Sequence, residues 1–461
     1  MSGPNVVWLT LDSVRADHTS MAGYRRDTTP NLQRIATNPE GTNFPDCIAS
    51  SNGTPVSSAS ILTGTQPSRH QVKISTEFLP AELDTVPELF GERGYRTACL
   101  SRNAYLGPGL GLDRGFDRFE LIVSSSLYRA VPPSTLVKWL VNIRKHSAGF
   151  TTDDSKHATP YLMNDVLKRW IREFERDEDP FFLYAHYNEP HRPFYPPLPY
   201  HDTYTDEIEM SPREAAETAM RIHRENDAIV ANGCTLSEAE WDALHAMYDA
   251  EISYTDEMVG RLYDFVQSRD LGETVFVVTA DHGEHFGERG ELAHVLGLDD
   301  AVTNVPLVVD GLPEASSDGV VQHIDVMKTL VAMAGGRTEQ FQGVDLRHEA
   351  REYAISQRGP TDFQRFLTHN EEFDTSRFPA SLTSAFRDRE FRYLTADDRA
   401  ELYRLPDEET DVSGQYPAVA ERFESIATEW LETEGTPIGS AADDRMTEEM
   451  RRQLRDLGYV E

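Results

Sequence analysis

NVVWLTLD, residues 5–12, is an unbroken apolar and β-branched run that stops at a carboxylate. A run without alternation fits a strand buried on both faces, as in a parallel sheet covered by helices. Working outward, the same kind of run recurs in YRTACLS (95–101), FFLYAHY (181–187), TVFVVTAD (274–281) and VPLVVDG (305–311). Longer polar, helix-compatible segments separate them, which predicts an α/β chain with a mostly parallel central sheet. Ligands of such sheets gather beyond the carboxyl ends of the strands. Asp12 ends the first run there, and Asp281 with His282 ends the fourth.

The chain has 461 residues, 39% of them hydrophobic, enough to fill a large core and a smaller one. Acidic residues outnumber basic ones by 78 to 44, for a formal net charge of −34, and they are spread along the whole length. That balance excludes nucleic acid as a charge-driven partner and suits a salt-rich, halophilic cytosol in which screening reduces self-repulsion. Cys47, Cys99 and Cys234 are few and widely spaced, so neither a disulfide framework nor a metal knuckle is expected. The beginning of the chain lacks a basic signal-peptide region, and no apolar run approaches the ~18 residues of a membrane span. A cytoplasmic location is the expectation.

Between the third and fourth runs, EAEWDALHAMYDAEISYTDEMVGRLYDFVQ (238–267) carries apolar residues at helical spacing. Its Asp249, Glu251 and Asp256 read as a solvated face. After residue 345 the character changes. Residues 1–345 read as the catalytic α/β unit and residues 346–461 as a subdomain with a small antiparallel sheet and terminal helices. The last of these is an amphipathic helix over 443–461.

The chemistry gathers around NGTPVSSASILTG, residues 52–64. Pro55 after Thr54 reads as the first position of a helix, with Thr54 either its N-cap or a nucleophile. A helix start there would present free N–H groups to a phosphate or sulfate oxygen. Two carboxylates and an imidazole at the same sheet edge, from Asp12, Asp281 and His282, form a candidate divalent metal site. A threonine hydroxyl is a weak nucleophile that needs such help.

These segments, with GYRTACLSRNAYLG, DRGFDRF, FFLYAHYNEPHRP, TADHGEHFGERG and AHVLGLDDAVTNVPLVV, resemble the sulfatase family of the alkaline phosphatase superfamily. The resemblance runs nearly the length of the chain. It implies an alkaline-phosphatase-like sandwich with a small C-terminal α+β subdomain, and a metal-dependent ester hydrolase or transferase. The family's formylglycine is made from the cysteine or serine of C/S-x-P-x-R; here the register gives Thr54, with Ser58 in the arginine position, so no formylglycine is expected. Cys47 lies seven residues out of register, and TQPSR (65–69) follows the LTG turn, so neither replaces it.

A threonine at this register resembles the phosphodiesterase, phosphonate hydrolase and phosphoglycerol transferase branches. They imply one divalent metal ion on Asp12, Thr54, Asp281 and His282, manganese or zinc favoured over calcium because Ser13 replaces the usual second acid. His191 and His294 match family histidines and are expected to act on the substrate as charged imidazoles. Arg15, Arg102 and Asn103 are expected to bind substrate, with His186 and His285 as further candidates. The expected substrate is a small anionic ester, glycan- or lipid-linked forms included, with phosphoester chemistry ahead of sulfate. A sulfate hydrolase working without formylglycine, and a non-catalytic binder of anionic glycans or lipid head groups, stay open as alternatives.

Overall fold

In the computed structural model the described residues are 3–438 apart from 76–77, 124–126, 313 and 398, so the helix expected over 443–461 lies outside them. The central sheet has seven strands: β1 (Asn5–Leu11), β2 (Gly41–Asn43), β3 (Arg96–Ser101), β4 (Arg118–Leu121), β5 (Phe181–Tyr187), β6 (Thr274–Ala280) and β7 (Leu307–Asp310). Their order is β2–β7–β6–β1–β5–β3–β4. The five from β6 to β4 run parallel, and β7 and β2 extend the sheet antiparallel at one edge. The α/β fold with a mostly parallel sheet is therefore as expected. Every residue of β1 and β5 is buried, which is why their sequences show no alternation.

Helices cover the sheet. They include α1 (Pro30–Ala36), α2 (Thr54–Thr63), α3 (Pro133–Val141), α4 (Pro160–Asp177), α5 (Glu238–Gln267) and α6 (His323–Met333). Helix α5 is 30 residues long and opens with a capping box in which Ser237 and Glu240 satisfy each other's backbone N–H groups. The C-terminal subdomain is an antiparallel sheet of β8 (Ala354–Arg358), β9 (Thr383–Arg387), β10 (Phe391–Ala396) and β11 (Arg399–Arg404), backed by α7 (Pro417–Glu432). Its own core includes Phe386, Phe423 and Trp430. No helix of the described residues is long and apolar enough to cross a membrane.

One expectation for α5 is corrected. Asp249, Glu251 and Asp256 are buried, not solvated. Asp249 accepts from Tyr24 and Arg26 and pairs with His18 at 2.7–2.8 Å. Asp256 accepts from the Asn31 and Leu32 amides at 2.9 Å, capping the start of α1. Glu251 carries a buried carboxylate oxygen with no hydrogen-bond partner among the described residues, and burial pushes its carboxyl well above the usual range. The middle of so long a helix is covered on several sides, and Asp249 and Asp256 find polar partners far away in sequence.

Candidate active site

Three adjacent parallel strands end together. Leu11 of β1 pairs in register with Tyr187 of β5 and with Ala280 of β6, so Asp12, His186, Asp281 and His282 converge at one edge. All four are fully buried. His186 Nε2 lies 3.2 Å from Asp12 Oδ2, and His282 Nε2 lies 3.6 Å from Asp12 Oδ1 and 3.7 Å from Asp281 Oδ2. Ligand atoms of Asp12, His186 and Asp281 all fall within 4.8 Å of one another.

Helix α2 brings Thr54 to this edge. Its N-cap is Gly53, not Thr54, so the expected helix start shifts by one residue and Thr54 is the first helical residue. The threonine hydroxyl makes no capping bond. It lies 3.4 Å from Asp12 Oδ2 and 3.3 Å from His282 Nε2. At the other end the helix stops at Gly64, whose φ of 70° and position against Phe341 leave no room for a Cβ.

The donor set fits a divalent cation. Asp281 Oδ1 accepts from the Ser13 and His282 amides, while buried Oδ2 has no hydrogen-bond partner among the described residues. An orphaned carboxylate oxygen in a low-dielectric interior is costly unless a cation faces it. Burial alone would raise the Asp12 pKa, but His191, His186 and His282 outweigh it and hold the carboxyl well below its usual range. Burial and the Asp12 charge push Asp281 up. Burial opposes the His282 imidazolium, yet Asp281 and Asp12 raise its pKa overall.

The loop after β1 is held in an unusual conformation. Ser13 has a φ of 67°, in the left-handed region. The Tyr248 hydroxyl of α5 donates to Ser13 O at 2.7 Å and accepts from the Arg15 amide at 3.0 Å, which fixes this turn. Ser13 Oγ donates to Asp12 Oδ1 at 3.1 Å, and Asn103 Nδ2 donates to Asp12 Oδ2 at 3.1 Å. Asn103 thus supports the carboxylate instead of standing out toward a substrate.

His191 and His294 flank the cluster, their rings 5.3 Å apart, with His294 4.3 Å from His282. Burial pushes His191 down to about 4, and burial with His282 pushes His294 well below its usual value. Both surroundings favour the neutral imidazole, where the sequence reading expected charged ones. His294 Nδ1 is 2.8 Å from Glu284, a buried partner the sequence did not single out.

Beyond His191 lies a small pocket of about 60 Å³ that also touches Arg102, Lys156, Arg192, Glu189 and Glu251. Arg102 lines it while donating to His157 O at 2.5 Å. Arg15 is not brought to the cluster. Its guanidinium is engaged by Asp17, Glu288 and the Glu284 carbonyl. His285 is likewise occupied, at 2.9 Å from Asp299. Cys47 is buried in a two-residue strand paired with Asn304–Val305, which leaves Thr54 as the residue α2 presents.

Comparison with known proteins agrees with this architecture. A "Sulfatase" from Formosa agariphila is 24% identical over 366 residues, 72% of this chain and 69% of that one. An "Arylsulfatase" from Clostridium perfringens is 24% identical over 457 residues, 84% of this chain and 91% of that one. The fold superposes on the crystal structure of a phosphonate monoester hydrolase from Agrobacterium radiobacter with a TM-score of 0.72, at 19% identity, covering 94% of this chain and 96% of that one. The sequence model of the sulfatase family matches residues 4–336, a span that starts just before β1 and takes in every residue of the cluster. The chain therefore belongs to the sulfatase family, whose members are ester hydrolases.

Proposed function

We propose that this sulfatase-family hydrolase attacks a phosphate ester in line with the Thr54 hydroxyl, using one divalent cation held by Asp12, Thr54, Asp281 and His282, with His186 beside them. The observation that carries this reading is the Thr54 hydroxyl, freed from capping by Gly53 and lying between Asp12 and His282. Mixed oxygen and nitrogen donors suit manganese or zinc better than calcium. Such a cation, when bound, supplies Lewis-acid polarisation of the ester and favours the deprotonated hydroxyl.

The residues divide the remaining work. Thr54 Oγ1 forms a bond to phosphorus as the bond from phosphorus to the ester oxygen breaks, and the hydroxyl proton is lost to water. The start of α2 offers backbone N–H groups to the non-bridging oxygens. His191 and His294 gain protons as negative charge enters, because an anion raises an adjacent imidazole's pKa. One of them then protonates the leaving oxygen. Water, or an acceptor alcohol, attacks the phosphothreonine and returns Thr54.

The sulfate ester is the second reading, favoured by the names of the relatives above. A panel of nitrophenyl phosphate, phosphodiester and sulfate esters with manganese, zinc or calcium, at low and high salt, separates the two. The expected result is phosphoester turnover that falls by about a thousandfold or more in Thr54→Ala. Sulfate turnover that dominates and survives Thr54→Ala would sink the proposal.

A further inference from the structure

Among the described residues, the large hydrophobic side chains left exposed are Val137, Leu140, Val141 and Phe150, at 58%, 50%, 78% and 83%. All fall in one short excursion of the chain. Val137, Leu140 and Val141 stand at i, i+3 and i+4 on α3 and so share one face of that helix. Residues 121–152 contain no Asp or Glu, in a chain that has 78 of them. Lys138, Arg144 and Lys145 are exposed on the same excursion, and neither Arg144 nor Lys145 has an ion-pair partner among the described residues. Apolar exposure and positive charge thus coincide at one place on a protein of net charge −34.

The excursion borders the active-site pocket. Trp139 of α3 packs edge-on to His157 with ring centroids 5.4 Å apart, and Ser147 Oγ lies 2.8 Å from His157 Nδ1. His157 lines the pocket together with His191.

We infer that α3 and the segment to Phe150 form an interfacial docking face for an anionic lipid bilayer, which sets the active-site entrance against the head groups. The chemistry selects this occupant. Apolar side chains flanked by lysine and arginine match the boundary between acyl chains and anionic head groups. A two-fold contact with a second copy would oppose these cations to each other. A contact with the acidic surface of a second copy would leave the apolar side chains without apolar partners. Repulsion between the rest of the acidic surface and the bilayer reaches only about 8–10 Å at moderate salt, so the same charge that weakens other orientations favours this one. The inference concerns docking and does not depend on which ester is cleaved.

The test is sedimentation of the full chain with vesicles of phosphatidylcholine containing phosphatidylglycerol, and with phosphatidylcholine alone. The wild type is expected to bind the anionic vesicles, more weakly as salt rises. Combining Val137→Ser, Leu140→Ser, Val141→Ser and Phe150→Ser should weaken partition by about a hundredfold. Arg144→Glu with Lys145→Glu, which leaves the apolar face intact, should abolish the preference for anionic vesicles. Turnover of a soluble nitrophenyl ester should be unchanged in both variants, and this arm fails separately if the proposed chemistry is wrong. Absence of wild-type binding, or equal binding by the serine variant, would overturn the inference. So would a concentration-dependent dimer that the serine variant dissolves.

Discussion

Tyr248→Phe removes a single oxygen from the middle of α5 and should be felt at the catalytic cluster. That hydroxyl makes two buried bonds, to Ser13 O at 2.7 Å and from the Arg15 amide at 3.0 Å. Each bond contributes about 1 kcal/mol net, and each backbone group left unsatisfied costs about 1–3 kcal/mol. Ser13 stores a further ~1–2 kcal/mol in its left-handed φ, which the tether holds in place. If the turn relaxes on losing the tether, part of this is returned, so the expected loss is about 2–4 kcal/mol out of a total stability of ~5–15 kcal/mol. Relaxation also moves the Ser13 hydroxyl away from Asp12. Loss of such a supporting bond typically weakens metal binding by about 10–100-fold. Chemical denaturation of metal-free protein and competition with a chromophoric chelator read the two effects. Adding Ser13→Gly should recover about 1 kcal/mol of stability without restoring metal affinity. A change below ~0.5 kcal/mol with unaltered metal affinity would refute the reasoning, since two satisfied buried bonds cannot vanish at so small a cost.

Asp249→Ala should cost about 3–5 kcal/mol, because it leaves the buried Arg26 guanidinium with only the half-exposed Glu207 carboxylate and removes the acceptor of His18 and Tyr24; thermal melts against Asp249→Asn measure it. His285 gives a pH signature. Burial opposes its charge, but Asp299 and Glu291 outweigh burial and raise its pKa from 6.5 to about 10. Folding therefore favours the protonated ring, and that stability is complete below pH 6.5 and lost as pH rises toward 10. Denaturation midpoints should fall over this range more steeply in the wild type than in His285→Gln. Gly64→Ala should destabilise by about 1–3 kcal/mol, since φ is 70° and the new Cβ would lie 2.0 Å from Phe341; a compensating Phe341→Leu should recover part of it in melting experiments.

The parts of the site that were legible are those written locally. Unbroken apolar runs marked the central strands, and the carboxylates at their ends marked Asp12 and Asp281, because strand ends in a parallel sheet are where polar side chains meet. His186 was visible only as a further candidate. Within FFLYAHY an isolated histidine looks like core, and its pairing with Asp12 depends on β5 lying beside β1, a neighbour relation that sequence order does not reveal. Asp249, Glu251 and Asp256 were misread for a similar reason. The partners of Asp249 and Asp256, namely His18, Tyr24, Arg26 and Asn31, are distant in sequence, so nothing near them signalled burial. Arg15 was expected to bind substrate on the strength of the resemblance alone. Asp17, only two residues on, already holds it. Pro55 suggested a helix beginning at Pro55 with Thr54 as a candidate N-cap, but Gly53 takes the N-cap, and that one-residue difference is what releases the threonine hydroxyl from capping.

The central claim is that Thr54 becomes covalently bonded to the transferred group. Acid quenching during steady-state turnover of a nitrophenyl phosphodiester, followed by proteolysis and mass spectrometry of the peptide spanning residues 52–64, tests it most directly. A phosphoryl adduct localised to Thr54 is expected, absent from Thr54→Ala and from metal-stripped protein. An active enzyme that shows no adduct under single-turnover quenching, or an adduct on another residue, would contradict it.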